Sequence, residues 1–158
     1  LSRGKVMFNI VLYQPEIPQN TGNIARLCAV TGCALHLVGP MGFSLQNRYL
    51  KRAGLDYWNL LRVYRYDSLQ EFYDQQSGRY YYVTTKGSRY YTDFDYQAGD
   101  YLIFGRETAG LPSDVIAANC DQCMRIPMKG EARCLNLANS VAIVVYEGLR
   151  KQMFRDMK

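Results

Sequence analysis

Lys5-Val6-Met7-Phe8-Asn9-Ile10-Val11-Leu12-Tyr13, Thr21-Gly22-Asn23-Ile24-Ala25-Arg26-Leu27-Cys28-Ala29-Val30-Thr31 and Ala34-Leu35-His36-Leu37-Val38 follow one another with only short breaks. Lys5 to Tyr13 is apolar at Val6, Met7, Phe8, Ile10, Val11 and Leu12, which reads as a buried strand. Two prolines make Gln14 to Asn20 a loop. Asn20 or Thr21 is expected to cap a helix that places Ile24, Leu27, Cys28 and Thr31 on one face and ends at Gly32. Ala34 to Val38 is a second short strand, closed by Gly39-Pro40. Strand, helix, strand is the repeating unit of a parallel α/β sheet.

The same alternation continues down the chain. Leu45 to Ala53 reads as a basic helix stopping near Gly54, and Leu60 to Tyr66 as a strand. Ser68-Leu69-Gln70-Glu71 fits a capping box opening a helix to about Gln76. Arg79 to Thr85 is Tyr-rich and β-prone, and Tyr101 to Phe104 is a further buried strand. Leu111-Pro112-Ser113 starts a short helix, Cys123 to Pro127 is the last strand, and a helix from about Cys134 to Gln152 turns Leu135, Ala138, Ala142, Tyr146 and Leu149 inward. The expected fold is α/β, a mostly parallel central sheet flanked by helices. Residues 5–158 read as one domain, and residues 1–4 as a remnant or trimmed end.

Composition narrows the function classes. The 158 residues are 48% apolar, enough for one continuous core, and a domain of this size buries roughly 70% of its unfolded surface. The longest apolar run, Val141 to Tyr146, falls far short of the ~18 residues of a membrane helix. The N-terminus lacks the build of a signal peptide, so the expected location is the cytoplasm, with no membrane partner. Nineteen Lys plus Arg against fourteen Asp plus Glu give +5, which suits a polyanionic partner or, more plainly, a solvated basic surface.

Five cysteines do not make a complete disulfide framework. Cys120-Asp121-Gln122-Cys123 leads into a strand, whereas a redox CxxC opens a helix. His36, the only histidine, sits mid-strand among apolar residues, so a metal site and histidine-based catalysis are both disfavoured. Buried, inert thiols and no metal are the expectation.

Three polar clusters remain, each after a strand or at a helix start: Asn20 to Arg26, Gly105-Arg106-Glu107-Thr108-Ala109-Gly110, and Arg133 to Asn139. The glycine-rich turn is either an ordinary strand-to-helix connection or a place where backbone approaches a ligand. Arg26, six residues after Asn20, points away from Asn20 unless Asn20 lies in the preceding loop; otherwise it reads as a surface arginine. Asn136 and Asn139 share a helix face and either cap loops or line a site. Tyr80-Tyr81-Tyr82 and Tyr90-Tyr91, near Lys86 and Arg89, fit strand packing better than base stacking.

At these clusters the chain resembles the SPOUT-class RNA 2′-O-methyltransferases, specifically the TrmL (YibK-like) tRNA family. The resemblance runs through Asn9 to Tyr13, Pro15 to Ile24, Arg26-Leu27-Cys28, Gly39 to Phe43, Arg52 to Trp58 and Thr84 to Gly87. It continues through Phe104 to Thr108, Gly110-Leu111-Pro112, Arg125 to Met128, Asn136 to Ser140 and Tyr146-Glu147. It implies a trefoil knot near the C-terminus that forms an S-adenosylmethionine pocket, which pattern reasoning does not supply. It also implies an obligate homodimer whose sites are completed by the partner's Arg26 region. The implied reaction is methyl transfer to the ribose 2′-hydroxyl of the wobble nucleotide (position 34, cytidine or modified uridine) in the anticodon stem-loop of leucine tRNAs. The same chemistry on another RNA, or a non-catalytic RNA- or cofactor-binding protein, are the competing readings.

By the same resemblance, backbone at Val83, Gly105, Ile126 and Cys134, with Leu135, holds the cofactor. Arg26 is the catalytic arginine, and Asn20, Glu107, Asn136 and Asn139 shape the site around it. Two positions depart from the pattern: Cys134 stands where relatives commonly carry Ser, and Arg106 where they often carry Pro.

Overall fold

A computed structural model describes residues 5–45, 48, 52, 59–131 and 134–158. The expected helix at 45–53, the resembling stretch 52–58, Arg133 and the terminal residues 1–4 lie wholly or largely outside them.

Among the described residues seven strands form one sheet: β1 (Asn9–Tyr13), β2 (Ala34–Val38), β3 (Val63–Tyr66), β4 (Tyr80–Val83), β5 (Arg89–Tyr90), β6 (Tyr101–Phe104) and β7 (Cys123–Arg125). Their order is β3-β2-β1-β6-β4-β7-β5, and every pairing is parallel. Among the described residues four α-helices flank it: α1 (Pro18–Thr31), α2 (Leu69–Gln75), α3 (Ser113–Ala118) and α4 (Leu137–Lys151). Because alternate residues of a strand face opposite ways, Ile10 and Leu12 pack with Ile24 and Cys28 of α1 and with Val141, Val144 and Leu149 of α4. Val11 and Ile103 face the other layer, with Phe72 of α2 and Ile116 of α3. A sheet covered on both faces explains why β2 and β6 are buried at every position and largely apolar, with His36 the polar exception in β2.

The element order matches the expectation, and the boundaries move for identifiable reasons. The helix expected to begin at Asn20 or Thr21 begins at Pro18, since proline is tolerated where the first turn has no N–H to pair. Its N-cap position is Ile17, which offers no side-chain acceptor. Gly32, at φ 74°, ends α1 as anticipated. Strands expected over 5–13, 60–66, 79–85 and 123–127 are shorter, and the edge strand β5 was not foreseen. Ser68 caps α2 by accepting from the Glu71 N–H at 3.1 Å, while Glu71 reaches back to the N–H of Asp67.

α4 needs the largest correction. It starts at Leu137, and its buried line is Val141, Val144, Val145, Gly148 and Leu149. Tyr146 and Leu135, both expected inside, are 42% and 38% exposed. Gly148 sets this rotation: a Cβ there would lie 2.7 Å from ring carbons of Phe8, so the helix turns its glycine, not Tyr146, to the sheet.

β4 and β5 lie on opposite sides of β7, and only residues 84–88 join them. The connection therefore crosses β7 and rests on its backbone. The Thr84 N–H donates to the Met124 carbonyl at 3.0 Å, and a Cβ on Gly87 would come within 2.5 Å of the Met124 carbonyl carbon.

His36 is 1% exposed inside β2. Its Nε2 lies 2.8 Å from Asn9 Oδ1 and its Nδ1 2.9 Å from the Tyr66 hydroxyl. An amide oxygen only accepts, so Nε2 carries the proton and Nδ1 accepts from Tyr66. Burial pulls the imidazole pKa from 6.5 to about 4. The neutral ring is the folded form, so its contribution is complete above the unfolded pKa and fades as pH falls toward the folded one. Denaturant unfolding should therefore show stability dropping between pH 6.5 and about 4, by up to about 3 kcal/mol from this group, with the drop reduced in His36→Leu. An identical pH profile in the variant would refute this assignment.

Candidate active site

The chain runs outward through β2 and β3 after β1, and toward β7 on the opposite side after β6. β1 and β6 are adjacent, so their following loops diverge and leave a crevice beyond the strand ends, the usual place for ligands in such sheets. A cavity of about 390 Å³ occupies it, within the size range of small-molecule sites. Its walls include Val83 at the end of β4 and Thr84 after it, residues 105–110 after β6, Ile126 and Met128 after β7, and Cys134, Leu135 and Asn136 before α4.

All five residues expected at the cofactor, Val83, Gly105, Ile126, Cys134 and Leu135, line this one cavity. Asn20, Glu107 and Asn136 line it too. Arg26 and Asn139 do not. Arg26 lies on the exposed face of α1, roughly 240° around the axis and about 9 Å along it from Asn20. Asn139 takes part only through its backbone, its N–H donating to Asn136 Oδ1 at 3.3 Å and so capping α4.

A hydrogen-bonded chain joins three of the cavity's lining residues, Glu107, Asn20 and Asn136. Glu107 accepts from the backbone N–H groups of Glu16 at 2.9 Å and Ile17 at 2.6 Å, and from Asn20 Nδ2 at 3.4 Å. Asn20 Oδ1 accepts from Asn136 Nδ2 at 3.0 Å. Glu107 thus pins, from another loop, the two residues that lead into α1, and places negative charge at the positive end of that helix. A reciprocal clasp locks the turns: Glu16 Oε1 accepts from the Thr108 N–H at 3.0 Å and its hydroxyl at 2.8 Å. These bonds hold the Glu16 carboxyl below its ordinary pKa.

Sequence reasoning assigned no role to Glu16 or Thr108. Neither carries a periodic signal, and their pairing exists only because β1 and β6 are neighbours. Gly105 has a steric reason to be glycine, since a Cβ there would sit 2.3 Å from the carbonyl carbon of Gly110. The turn is closed by mutual backbone bonds between Arg106 and Gly110 at 3.0 and 3.2 Å.

The thiols divide. Cys28, Cys33 and Cys123 are buried, and burial raises their pKa, that of Cys33 to about 11. Cys120 and Cys134 are exposed, correcting the expectation that all five are buried. Tyr82 is buried and Tyr80 and Tyr81 partly so, as strand packing requires, whereas Tyr90 is 45% exposed. Among the described residues no group of three or more His, Cys, Asp or Glu side chains is placed to hold a metal, and no helix is long and apolar enough to cross a membrane.

The model of the SpoU rRNA methylase family matches residues 7–146. A chain from Geobacillus stearothermophilus is 53% identical over 153 residues, covering 94% of this chain and 98% of its own. The tRNA (cytidine(34)-2'-O)-methyltransferase of Escherichia coli (strain K12) is 48% identical over 147 residues, 92% and 94% of the two chains. A solved structure concerned with 2-OH methylation of C/U34 on tRNA superposes at a TM-score of 0.90 with 42% identity, over 96% of this chain and all of that one. The SpoU methyltransferase AviRb of Streptomyces viridochromogenes, in complex with AdoMet, superposes at 0.84 with 26% identity, over 96% of this chain and 63% of its own. With a parallel sheet of the same architecture and a family match across nearly its whole length, this chain belongs to the SpoU methylase family.

Proposed function

We propose that this chain transfers a methyl group from S-adenosylmethionine to the ribose 2′-hydroxyl of the wobble nucleotide of leucine tRNAs, cytidine or modified uridine, working as a cytoplasmic homodimer. The observation that carries the reading is one cavity that gathers Val83, Gly105, Ile126, Cys134 and Leu135 beside the Glu107–Asn20–Asn136 chain.

The cavity suits the cofactor chemically. Apolar side chains of Val83, Phe104, Leu111 and Ile126 flank backbone at strand ends, and Gly105 keeps the wall free of a side chain. A flat adenine edge in such a cleft is best met by backbone hydrogen bonds, because unpaired polar groups there are costly. Backbone at Val83, Gly105, Ile126 and Cys134, with Leu135, would hold its adenine, ribose and methionine portions. When bound, the cofactor supplies a methyl group already activated on a sulfonium.

The protein then has to align a hydroxyl and handle one proton. Asn20, Glu107 and Asn136 are positioning residues, fixed by the bonds that join them. A guanidinium offers donors and no acceptor, so Arg26 suits orienting a phosphate and stabilising the forming oxyanion better than accepting a proton. Since it does not line the cavity of its own chain, a second copy supplies it. The trefoil knot belongs to the same reading, supported by the 84–88 connection that crosses β7.

Transfer of labelled methyl from S-adenosylmethionine to bulk tRNA from cells lacking the gene, followed by digestion, tests the reading. Label is expected at the wobble ribose of leucine tRNAs. Label elsewhere would keep the chemistry and move the substrate. No label from a folded dimer that binds the cofactor would favour a binding protein instead.

A further inference from the structure

Arg106 lines the cavity two residues beyond the end of β6. Its guanidinium lies over the Tyr13 ring, 5.5 Å from the centroid. Nη1 donates to Gln14 Oε1 and Nε to the Gly110 carbonyl, both at the long distance of 3.5 Å. The ion pairs among the described residues join Arg79 to Asp100 and Arg150 to Glu147, so Arg106 has no carboxylate partner there. Of the two acids in the adjoining turns, Glu16 feels the Arg106 charge but has its oxygens engaged by Thr108, and Glu107 is engaged by the N–H groups of Glu16 and Ile17.

A guanidinium carries five N–H donors in a planar fork, and here two are used weakly. Stacking on Tyr13 orients that plane while leaving its edge open. A partly buried, oriented cation with no carboxylate in ion-pair contact among the described residues is a site for an anion, and the fork geometry suits the two oxygens of a phosphate. Position within the cavity favours one anion over another. Arg106 leans on Tyr13 and Gln14, the side carrying Ile17, Asn20 and Glu107. Of the residues assigned to the cofactor, Gly105 adjoins Arg106, whereas Val83, Ile126, Cys134 and Leu135 come from other strand ends and the approach to α4. Lys86, after neighbouring β4, also lines the cavity and adds positive charge to its rim.

We propose that Arg106, held on Tyr13, binds a phosphodiester of the substrate RNA at the mouth of the cavity. This rests on the RNA-methylation reading above. It also gives a use to a residue that stands where the resembling family often carries Pro, a residue with no N–H and no charge to offer.

The test is equilibrium binding of bulk tRNA to the intact protein, Arg106→Gln and Arg106→Lys across a range of salt, with S-adenosylhomocysteine affinity measured on each. Arg106→Gln should bind tRNA about tenfold more weakly at low salt. Its slope of log affinity against log salt should be shallower by about 0.7, the value for one phosphate on a single strand. Arg106→Lys keeps the charge and loses the planar fork, so the slope should hold while affinity falls severalfold. S-adenosylhomocysteine should bind all three equally. Unchanged tRNA affinity and slope in Arg106→Gln overturns the assignment. So does a loss confined to S-adenosylhomocysteine, which would give the anion as the cofactor's own carboxylate. If the unaltered protein neither binds nor methylates tRNA, the functional reading fails and takes this one with it. If it does both and Arg106→Gln is indistinguishable, only Arg106 is misassigned.

Discussion

Arg26→Ala lowers methyl transfer by roughly 10²–10³-fold while cofactor affinity stays at its original value, the loss typical of removing one donor aimed at a developing oxyanion. The split follows from position. Arg26 is exposed on α1 and absent from the walls of the cavity, so the substitution leaves the cavity's lining residues in place. It reaches reacting atoms only if a second copy brings α1 to the cavity mouth. Co-expressing Arg26→Ala with a variant whose cavity is filled, Cys134→Phe, separates the cases. Each homodimer should be inactive, whereas mixed dimers pair one open cavity with one intact arginine and should recover about a quarter of the original activity in a random two-fold population. No recovery would mean that Arg26 acts within its own chain or not at all. Loss of cofactor binding in Arg26→Ala would remove its proposed role.

Gly105→Ala should abolish tight cofactor binding and cost stability together. The added Cβ would stand 2.3 Å from the Gly110 carbonyl carbon and 2.4 Å from the Leu111 nitrogen. Both are backbone, so no side chain swings aside, and the Arg106–Gly110 bonds that close the turn must give way. Overpacking of this kind costs about 1–3 kcal/mol. Displacing the wall by about 1 Å is enough for a hundredfold loss of function. Gly42→Ala is the control, with nothing within 4 Å of its Cβ, and should stay within about 0.5 kcal/mol of the original stability. Calorimetric titration with S-adenosylhomocysteine reads the first effect and thermal unfolding the second. Unimpaired binding in a stable Gly105→Ala protein would exclude this turn from the cofactor site.

Local chemistry carried much of the fold. Ala34 to Val38 and Tyr101 to Phe104 match their strands residue for residue, because a strand buried on both faces announces itself as a short apolar run between turn residues. Gly32 and Ser68 ended and opened their helices as expected, because caps depend on neighbours in sequence. Where a boundary depended on something distant, the reading slipped. α1 begins at Pro18, and the turn that leads into it is held by Glu107, some ninety residues away, which accepts the N–H groups of Glu16 and Ile17. α4 buries Val141, Val144 and Gly148 because the Phe8 ring fills the space a larger residue would need.

The site divides along the same line. Residue types and motifs singled out Asn20, Arg26, Gly105, Glu107 and Asn136, and the resemblance gave them expected roles. That Asn20, Glu107 and Asn136 join in one hydrogen-bonded chain, that Glu16 and Thr108 clasp the two turns, and that Arg106 rests on Tyr13 without a carboxylate, required the parallel pairing of β1 with β6. The sequence by itself determined the parallel α/β class, the strand cores and the helix caps, since burial pattern and capping act over a few residues. Only the tertiary structure decided the strand order, the crossing of β7 by residues 84–88 and the separation of Arg26 from its own cavity, since each depends on segments that meet only after the sheet has assembled.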